Sequence, residues 1–371
     1  MKKILFISDL VGIGGGETSL INIIEELNHR DYEITVVTPT RGKLVDILEN
    51  KNVNVQINNR LFAKKKTFFL LPMVLILIFI FLHRGKYDIV HSNSHGQCYP
   101  FGLMSLILGK KFIYTCHGQW ITFSTWQQIY FNTVCHQIIA VSKNVQSNLL
   151  RYSIDNKKIV QIYLGIKIEN YKVNNKKIRH ELGLDANHKL VGMIARFQEI
   201  KGHDIYIKGI KELLMRGDHS NTTFLIIGGE TFNNSSDKKF MDDVVDEVTN
   251  SSLYTKVKLL GERQDIPDIL SEMDLLVVPS RNESFGMVII EAMAARCSVI
   301  ASNCDGPREI IEDETTGMLF DNGSYKQLAE KMHLMLKDSQ LSQRMVDSAY
   351  SMVQENFSIE KVVDKYELIY R

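Results

Sequence analysis

Short apolar runs alternate with longer amphipathic stretches along the first half of the chain. Leu20, Ile24 and Leu27 continue a helical pattern that begins near Thr18. Alternation of apolar runs with helices is typical of β-α-β units around a parallel sheet. The runs predicted to be buried strands are Ile4–Ser8, Ile34–Thr38, Asp88–Ser92, Phe112–Cys116 and Gln137–Ser142.

The same pattern restarts after a polar stretch, Lys172–Lys177. It predicts a second α/β domain, so we expect a first domain over residues 1–170 and a second over 171–355. Apolar spacing near the C-terminus predicts a last helix over 356–371, which we expect to pack back on the first domain. The strands predicted for the second domain are Leu190–Ala195, Thr223–Gly228, Val257–Leu260, Leu275–Pro279 and Val299–Ser302.

One segment departs from this pattern, because Phe68–Leu82 is apolar at every position. As a helix its 15 residues would reach about 22 Å, short of the roughly 30 Å needed to cross a bilayer. Two interpretations remain: a core helix, or an interfacial anchor whose flanking cations, Lys64–Lys66, Arg84 and Lys86, meet anionic head groups. The uncharged, aromatic-rich stretch Phe112–Ser142 favours the anchor.

Composition and charge narrow the class of protein. The 371 residues are 44% hydrophobic and 23% charged, which excludes global disorder. Residues 1–170 hold 19 Lys and Arg against 11 Asp and Glu, whereas the rest hold 25 against 32. The basic half predicts an anionic partner, and we expect a membrane surface rather than nucleic acid, since no nucleic-acid-binding motif is present.

Five scattered cysteines, expected to be buried, and a start without signal-peptide features predict a cytoplasmic protein.

A glycine-rich turn, Gly12–Glu17, follows the first predicted strand. It does not fit a dinucleotide fingerprint, because Glu17 stands where the third glycine belongs and no acidic residue ends the second strand. It does not fit a P-loop either, since no Gly-Lys-Ser/Thr follows. The turn could bring backbone N–H groups close to an anion, or it could be a plain tight turn.

Two cations, Arg196 and Lys201, follow the first strand of the second domain. A guanidinium and an ammonium together could hold a diphosphate and neutralise it as a leaving group. A solvated loop pair is the alternative.

Two carboxylates follow the predicted strand Leu275–Pro279. Glu283 lies in the loop, and Glu291 lies in an apolar helix predicted to start near Ser284. A carboxylate there could accept hydrogen bonds from the vicinal hydroxyls of a ribose or hexose, unless it lies on an exposed helix face.

The spacing Glu283-x7-Glu291 resembles the E-x7-E motif of retaining GT-B glycosyltransferases of family 4. The resemblance covers essentially the whole chain, and no Asp-x-Asp metal-nucleotide motif is present. Three consecutive glycines, Gly14–Gly16, stand where the family usually has two. The further matching motifs are Gly15-Gly16-Glu17, Tyr114-Thr115-Cys116-His117-Gly118, Ile139-Ala140-Val141-Ser142, Arg196-x4-Lys201-Gly202, Leu260-Gly261, Pro279-Ser280 and Asp305-Gly306-Pro307-x-Glu309.

The resemblance implies an α/β protein of the GT-B fold, with two Rossmann-like domains facing across a cleft, and a role for each matched residue. Arg196 and Lys201 would bind the donor diphosphate, Glu291 the ribose, and Glu283 the transferred sugar. His117 would point toward that sugar, and we expect Glu283, His117, Arg196 and Lys201 to be the catalytic set. The remaining donor contacts would come from Gly15, Gly16, Arg263, Ser284, Phe285, Gly286 and Met287.

The implied reaction is transfer of a sugar from a nucleotide-diphosphate sugar, with UDP as the expected nucleotide, without a cofactor or metal. Together with Phe68–Leu82, it predicts a lipid-linked glycan acceptor and a peripheral position on the inner face of the cell membrane. A GT-B sugar epimerase and a non-catalytic nucleotide-sugar-binding membrane partner are the alternatives. A phosphorylase would need a longer chain and a pyridoxal-binding lysine.

Overall fold

The structure is a computed structural model that describes residues 1–9, 12–62, 71–118, 121–172, 177–229 and 235–371. Lys64–Lys66 and Phe68–Leu70 lie outside the described residues, as do Trp120 within the stretch Phe112–Ser142 and most of the polar stretch Lys172–Lys177. The chain divides into two compact units. The first comprises Met1–Ile166 with Ile359–Arg371, and the second comprises Lys167–Ser358.

The first unit contains a seven-stranded parallel sheet with the strand order β3-β2-β1-β4-β5-β6-β7. Both faces of a parallel sheet are covered by helices, so its central strands are continuous apolar runs rather than alternating ones. The strands are β1 Lys2–Ile7, β2 Tyr32–Thr38, β3 Asn54–Ile57, β4 Ile89–Ser92, β5 Lys111–Cys116, β6 Gln137–Ala140 and β7 Ile159–Gln161.

In the described residues this unit also contains α-helices, one of which comes from the far end of the chain. The C-terminal helix buries Tyr366 and Tyr370 against the sheet, and the Tyr370 hydroxyl lies 2.7 Å from His91 Nδ1. The second ring nitrogen of His91 lies 2.7 Å from Thr115 Oγ1. The helices are α1 Gly15–Asn28, α2 Lys43–Asn50, α3 Leu71–Gly85, α4 Cys98–Ile107, α5 Thr125–Val134, α6 Lys143–Arg151 and α15 Ile359–Tyr370.

The second unit contains a six-stranded parallel sheet with the strand order β10-β9-β8-β11-β12-β13. Its strands are β8 Lys189–Ile194, β9 Thr222–Ile227, β10 Val257–Gly261, β11 Leu275–Val278, β12 Ser298–Ser302 and β13 Met318–Phe320. Its helices are α7 Lys177–Glu181, α8 His203–Arg216, α9 Ser235–Thr249, α10 Ile266–Glu272, α11 Met287–Ala294, α12 Asp305–Ile310, α13 Tyr325–Lys337 and α14 Ser339–Asn356.

The predicted strands are all present, with ends that shift by one or two residues. The prediction omitted the edge strands β3, β7 and β13, which are only three or four residues long. Predicted helix starts were less accurate. α1 begins at Gly15 rather than near Thr18. α11 begins at Met287 rather than near Ser284, because the loop continues to a left-handed residue at Gly286. The expected burial of the five cysteines is confirmed.

The apolar helix α3 has two different sides. Val74, Ile78 and Leu82 are spaced four residues apart and are buried against the unit. Ile76 is 60% exposed and Ile80 is 40% exposed. The core-helix interpretation therefore accounts for one side of α3 and leaves the other unexplained. Among the described residues, no helix is both long enough and apolar enough to cross a membrane.

Candidate active site

The topology of the second sheet brings the predicted donor-binding residues to one place. The first strand of this unit, β8, lies between β9 and β11, so successive connections run in opposite directions on its two sides. In such sheets ligands bind outside the carboxyl ends of the strands at this switch point. Arg196 and Lys201 follow β8, and Glu283 follows β11. They are therefore placed at adjacent strand ends although more than 80 residues separate them along the chain.

Lys201 and Glu283 are in direct contact. The Lys201 ammonium lies 2.6 Å from Glu283 Oε2, and both side chains are mostly shielded from solvent. The next residue, Gly202, has φ +75°, and a Cβ there would lie 2.1 Å from the Pro279 carbonyl oxygen. Only glycine allows this approach of the two loops. Arg196, five residues before Lys201, is exposed.

The loop between β11 and α11 is held by backbone contacts. Gly286 has φ +103°, a conformation that other residues rarely adopt, and it forms the N-cap of α11. The Gly306 N–H donates to the Glu283 carbonyl oxygen at 2.8 Å, and the Phe285 ring packs on Phe357. The Ser284 hydroxyl is buried without a hydrogen-bond partner among the described residues. A buried unpaired hydroxyl beside a helix N-terminus can bind an oxygen-rich ligand.

Glu291 lies in the second turn of α11, among buried apolar residues. Burial raises the pKa of its carboxyl to about 7, and a hydrogen bond with the Tyr171 hydroxyl lowers that pKa in part. The alternative that Glu291 sits on an exposed helix face is wrong, because α11 packs against α10, α14 and the turn that ends at Tyr171. A carboxylate in this position can accept hydrogen bonds from sugar hydroxyls.

Arg263 follows β10 and is engaged within the protein. Its guanidinium lies 2.8 Å from Glu181 Oε1 and 2.8 Å from Asp265 Oδ2. These two carboxylates raise the pKa of the Arg263 guanidinium above its ordinary value. The strand β10 is at the edge of the sheet, two strands from β8. The structure thus places Arg263 apart from the pair of Lys201 and Glu283.

The first sheet has a switch point of its own, between β1 and β4. Gly15 and Gly16 lie in the first turn of α1. The N–H of the preceding residue, Gly14, donates to Glu17 Oε2 at 3.0 Å. A Cβ at Gly16 would lie 3.6 Å from the His117 ring. The glycine turn and His117, two motifs a hundred residues apart in the sequence, are therefore neighbours.

His117 is held by Asn93, a residue that the sequence analysis did not select. Its Nε2–H donates to Asn93 Oδ1 at 2.7 Å. Burial lowers the pKa of His117 to about 4, so the ring is neutral at pH 7. In this tautomer Nδ1 carries a lone pair and can accept a hydrogen bond from a hydroxyl.

Two residues of the site, Asn93 and Tyr171, had no motif to identify them. Asn93 directly follows β4 at the switch point, which becomes visible only when the strand order is known. Tyr171 lies in a 3-10 turn, Ile168–Tyr171, within the stretch expected to join the two domains. In the described residues there is no cluster of three His, Cys, Asp or Glu side chains that could hold a metal ion.

Comparison with known proteins agrees with this architecture. The sequence model of the family "Glycosyl transferases group 1" matches residues 174–352, and that of "Glycosyltransferase Family 4" matches residues 13–170. This chain is a family 4 glycosyltransferase. The resemblance drawn from the E-x7-E motif is thereby confirmed, and the protein is a transferase of the GT-B fold.

Individual relatives are distant but extend over most of the chain. N-acetyl-alpha-D-glucosaminyl L-malate synthase of Bacillus anthracis is 26% identical over 77% of this chain and 75% of its own. Among solved structures, a glycosyltransferase from Rickettsia africae has a TM-score of 0.89 at 24% identity, covering 100% of this chain and 97% of its own. Anabaena HepE, in complex with UDP and glucose, has a TM-score of 0.86 at 23% identity, covering 99% of each chain. The structural likeness shows that the fold is shared.

Proposed function

We propose that this family 4 glycosyltransferase transfers a sugar from a UDP-sugar to a lipid-linked glycan acceptor at the inner face of the cell membrane. Such a reaction serves the assembly of cell-surface polysaccharide or glycolipid. The observation that carries the donor half is the contact of Lys201 with Glu283 at the switch point of the second sheet, in the loop that leads into α11 and Glu291. The complex of Anabaena HepE with UDP supports the choice of nucleotide.

Each side chain at this edge has a role in donor binding. Arg196 and Lys201 bind the diphosphate, Glu291 accepts hydrogen bonds from the ribose hydroxyls, and Glu283 accepts from the transferred sugar. Further donor contacts come from the backbone N–H groups and side chains of Ser284–Met287 at the start of α11. Arg263 lies toward the base in this proposal. In the first unit, Gly15 and Gly16 approach the phosphate, and His117 accepts a hydrogen bond from the sugar.

The chemistry follows from where charge develops. The bond between the anomeric carbon and the donor phosphate oxygen breaks, and a bond to the acceptor oxygen forms on the same face of the sugar. Arg196, Lys201 and the N-terminus of α11 stabilise the negative charge on the departing diphosphate. The acceptor proton passes to an oxygen of that phosphate. Glu283 already pairs with Lys201, and this pairing suits a binding carboxylate better than a nucleophile.

The proposal of a lipid-linked acceptor rests on an exposed apolar face of the first unit. The side chains of α3, α4 and α5 that make up this face are large and hydrophobic, and each is at least 37% exposed. A shallow groove of about 260 Å³ lies between α3 and α4, lined by Leu75, Ile76, Phe79 and Met104. The members of the apolar face are Met73, Ile76, Phe79, Ile80, Leu103, Leu106, Ile107, Trp126 and Ile129.

The charge of the surrounding sequence fits an anionic lipid surface. Between Glu49 and Asp155 the sequence contains one acidic residue, Asp88, and all three helices of the apolar face lie in this interval. Arg84 and Lys86 are exposed at the end of α3. Apolar side chains with flanking cations are the combination that interfacial helices use to bind anionic bilayers.

A donor screen with a matched pair of variants tests the catalytic half. We expect UDP or a UDP-sugar to raise the thermal unfolding temperature of the wild type above that seen with GDP-, ADP- or CMP-sugars. Glu291→Ala removes hydrogen bonds to a charged acceptor worth about 1.5–3 kcal/mol each, so nucleotide affinity falls at least about tenfold. The control, Glu330→Ala, changes an exposed glutamate on α13 and leaves affinity unchanged. Failure of every nucleotide to bind the wild type would refute the donor assignment.

Flotation with lipid vesicles tests the membrane half. The wild type is expected to float with vesicles that contain about a third phosphatidylserine, and to float less with pure phosphatidylcholine or at high salt. If the wild type stays in the soluble fraction under all these conditions, the proposed membrane position is wrong, whatever the donor screen shows.

A further inference from the structure

A groove in the first unit lies outside the candidate active site. It has a volume of about 480 Å³, within the range of sites that bind small molecules, and residues of β5, β6, β7 and the C-terminal helix α15 line it. Two of the lining residues, Lys111 and Gln137, are the first residues of β5 and β6. His117 follows β5 at its other end, about 20 Å from Lys111 at the usual rise along a strand. The groove is therefore separate from the edge that holds His117 and the glycine turn.

The strand register explains how the lining side chains come together. Gln137 of β6 lies opposite Ile113 of β5, and Lys111 is two residues before Ile113 on the same face of the sheet. This is the face that α15 covers, because Ile113 belongs to the same core cluster as Ile369 of α15. Lys365 of α15 lines the groove as well. The sheet and the helix thus each contribute a lysine.

The groove carries positive charge without a matching acidic side chain. Among the described residues, the ammonium groups of Lys111 and Lys365 have no ion-pair or hydrogen-bond partner, and no Asp or Glu lines the groove. The acidic residues of α15 next to Lys365, Asp364 and Glu367, pair instead with Arg30, at 2.8 Å and 2.9 Å. Like charges gathered in a concave site without a counter-charge attract an anion.

His136, another lining residue, responds to this positive potential. Burial, followed by the charges of Lys111 and Lys158, lowers the pKa of its imidazole below the ordinary value. The ring is therefore mostly neutral at pH 7 and can form hydrogen bonds without adding charge.

Two glutamines that line the groove have buried amide atoms without a hydrogen-bond partner among the described residues. The atoms are Gln137 Oε1 and Gln161 Nε2. The other amide atom of Gln137, Nε2, makes only a long contact of 3.5 Å with the Lys157 carbonyl oxygen. Few buried polar atoms of native proteins remain unpaired, and an amide oxygen of this kind can accept a hydrogen bond from a hydroxyl. Phosphate for the lysines and hydroxyl groups for the amide together describe the ligand.

We propose that this groove is a second binding site, for a phosphate group attached to a hydroxyl-bearing ring, as in a sugar phosphate. Lys111 and Lys365 bind the phosphate oxygens, and Gln137 accepts a hydrogen bond from a ring hydroxyl. Apolar lining residues, among them Ile162 and Ile369, contact the C–H groups of the ring. A free sugar phosphate and the head group of an inositol phospholipid both have this chemistry. The site does not depend on the proposed donor site, because all of its residues belong to the first unit.

Calorimetric titration of the full chain with two probes tests the site. The probes are glucose 6-phosphate, which is a free sugar phosphate, and dibutanoyl phosphatidylinositol, which carries the lipid head group on chains short enough to stay monomeric. The wild type is expected to bind at least one probe, and the tighter one identifies the source of the ligand. Lys111→Gln combined with Lys365→Gln removes two charge-assisted contacts and should lower the affinity at least about tenfold. Lys238→Gln combined with Lys326→Gln, at two exposed lysines of the second unit, is the control and should bind like the wild type.

A third variant separates recognition of the ring from attraction by charge. Gln137→Leu keeps the size of the side chain and removes the amide, so it should weaken binding of glucose 6-phosphate about threefold or more. Binding of inorganic phosphate, which has no ring hydroxyls, should not change. Equal weakening of both ligands would overturn the role of Gln137 in recognising a ring.

The same titrations distinguish the groove from the donor site. Failure of both probes to bind the wild type, or undiminished binding by the variant lacking Lys111 and Lys365, would overturn the second site. Loss of probe binding in Arg196→Gln, with full binding in that double variant, would place the probe at the donor site and overturn the groove alone. A wild type that binds a sugar phosphate in the groove but no nucleotide in the donor screen would overturn the proposed function and leave the second site standing.

Discussion

Among the described helices, α3 and α11 are both almost entirely apolar, yet they lie in different environments. Six of the eight residues of α11 are buried, whereas Val74, Ile78 and Leu82 are the buried residues among the 15 of α3. A single polar side chain, Glu291, interrupts α11. Before His83, α3 carries no polar side chain at all.

The difference teaches that apolar composition alone does not locate a helix. In α11 the apolar residues fill the core, and burial among them raises the pKa of the Glu291 carboxyl. In α3 the buried residues form a narrow stripe at four-residue spacing. Its remaining apolar surface joins exposed residues of α4 and α5, and extended apolar surface of this kind marks an interaction site.

The largest expected effect is a difference in the free energy of unfolding between a variant of α11 and a variant of α3. Ile290→Asp places a charge at a fully buried position of α11, so we expect a loss of about 4 kcal/mol or more in the free energy of unfolding. Ile76→Asp makes the same chemical change on α3, at a residue that is 60% exposed, and should alter stability by less than about 0.5 kcal/mol. Urea denaturation followed by circular dichroism measures both. Similar losses in the two variants would show that α3 is packed like α11.

The next effect tests what the exposed side of α3 binds. Fully burying a large apolar side chain contributes about 1.5–3 kcal/mol, so Ile76→Glu with Phe79→Glu should lower partitioning onto anionic vesicles by about 100-fold or more. Met215→Glu, at a methionine that is 76% exposed on α8 of the second unit, is the control and should float like the wild type. Unchanged flotation of the double variant would assign membrane binding to another surface.

The same comparison explains how far the sequence could predict the structure. Central strands such as β1 and β8 were predictable because burial on both faces requires a continuous apolar run. The edge strands β3, β7 and β13 are short and have a neighbour on one side only, so their sequences carry less of that signal. The start of α11 was placed too early, since the left-handed conformation of Gly286 is not distinguishable from an ordinary glycine in the sequence.

Prediction of the candidate site was uneven for a related reason. Arg196, Lys201, Glu283 and Glu291 belong to two motifs with fixed spacing, so they could be selected as candidates, whereas the direct pairing of Lys201 with Glu283 could not be predicted. Asn93 contacts His117, 24 residues further along the chain, and the turn that ends at Tyr171 packs on α11. Such contacts depend on strand order and on where a connecting turn packs, neither of which leaves a local pattern.

The smallest expected effect is a pH dependence confined to α11. With a pKa of about 7, Glu291 is about nine-tenths ionised at pH 8 and about one-tenth ionised at pH 6. The affinity for UDP-glucose should therefore fall up to about tenfold as the pH is lowered from 8 to 6. The pKa of His117 is lowered to about 4, so this ring stays neutral throughout. Glu291→Gln should bind with a flat profile, and Glu330→Gln should keep the wild-type one.

Stability should change in the opposite direction over a neighbouring pH range. Burial raises the folded-state pKa of Glu291 from 4.5 to about 7. Between pH 4.5 and pH 7 the folded protein therefore keeps a proton on Glu291, whereas the unfolded chain has released it. The contribution of Glu291 to the free energy of unfolding is therefore largest below about pH 4.5 and declines as the pH rises through 7. The difference between wild type and Glu291→Gln in urea denaturation isolates this slope. Flat profiles for both donor affinity and this difference would mean that Glu291 is as well solvated as a surface glutamate, and that α11 does not differ from α3 in the way proposed.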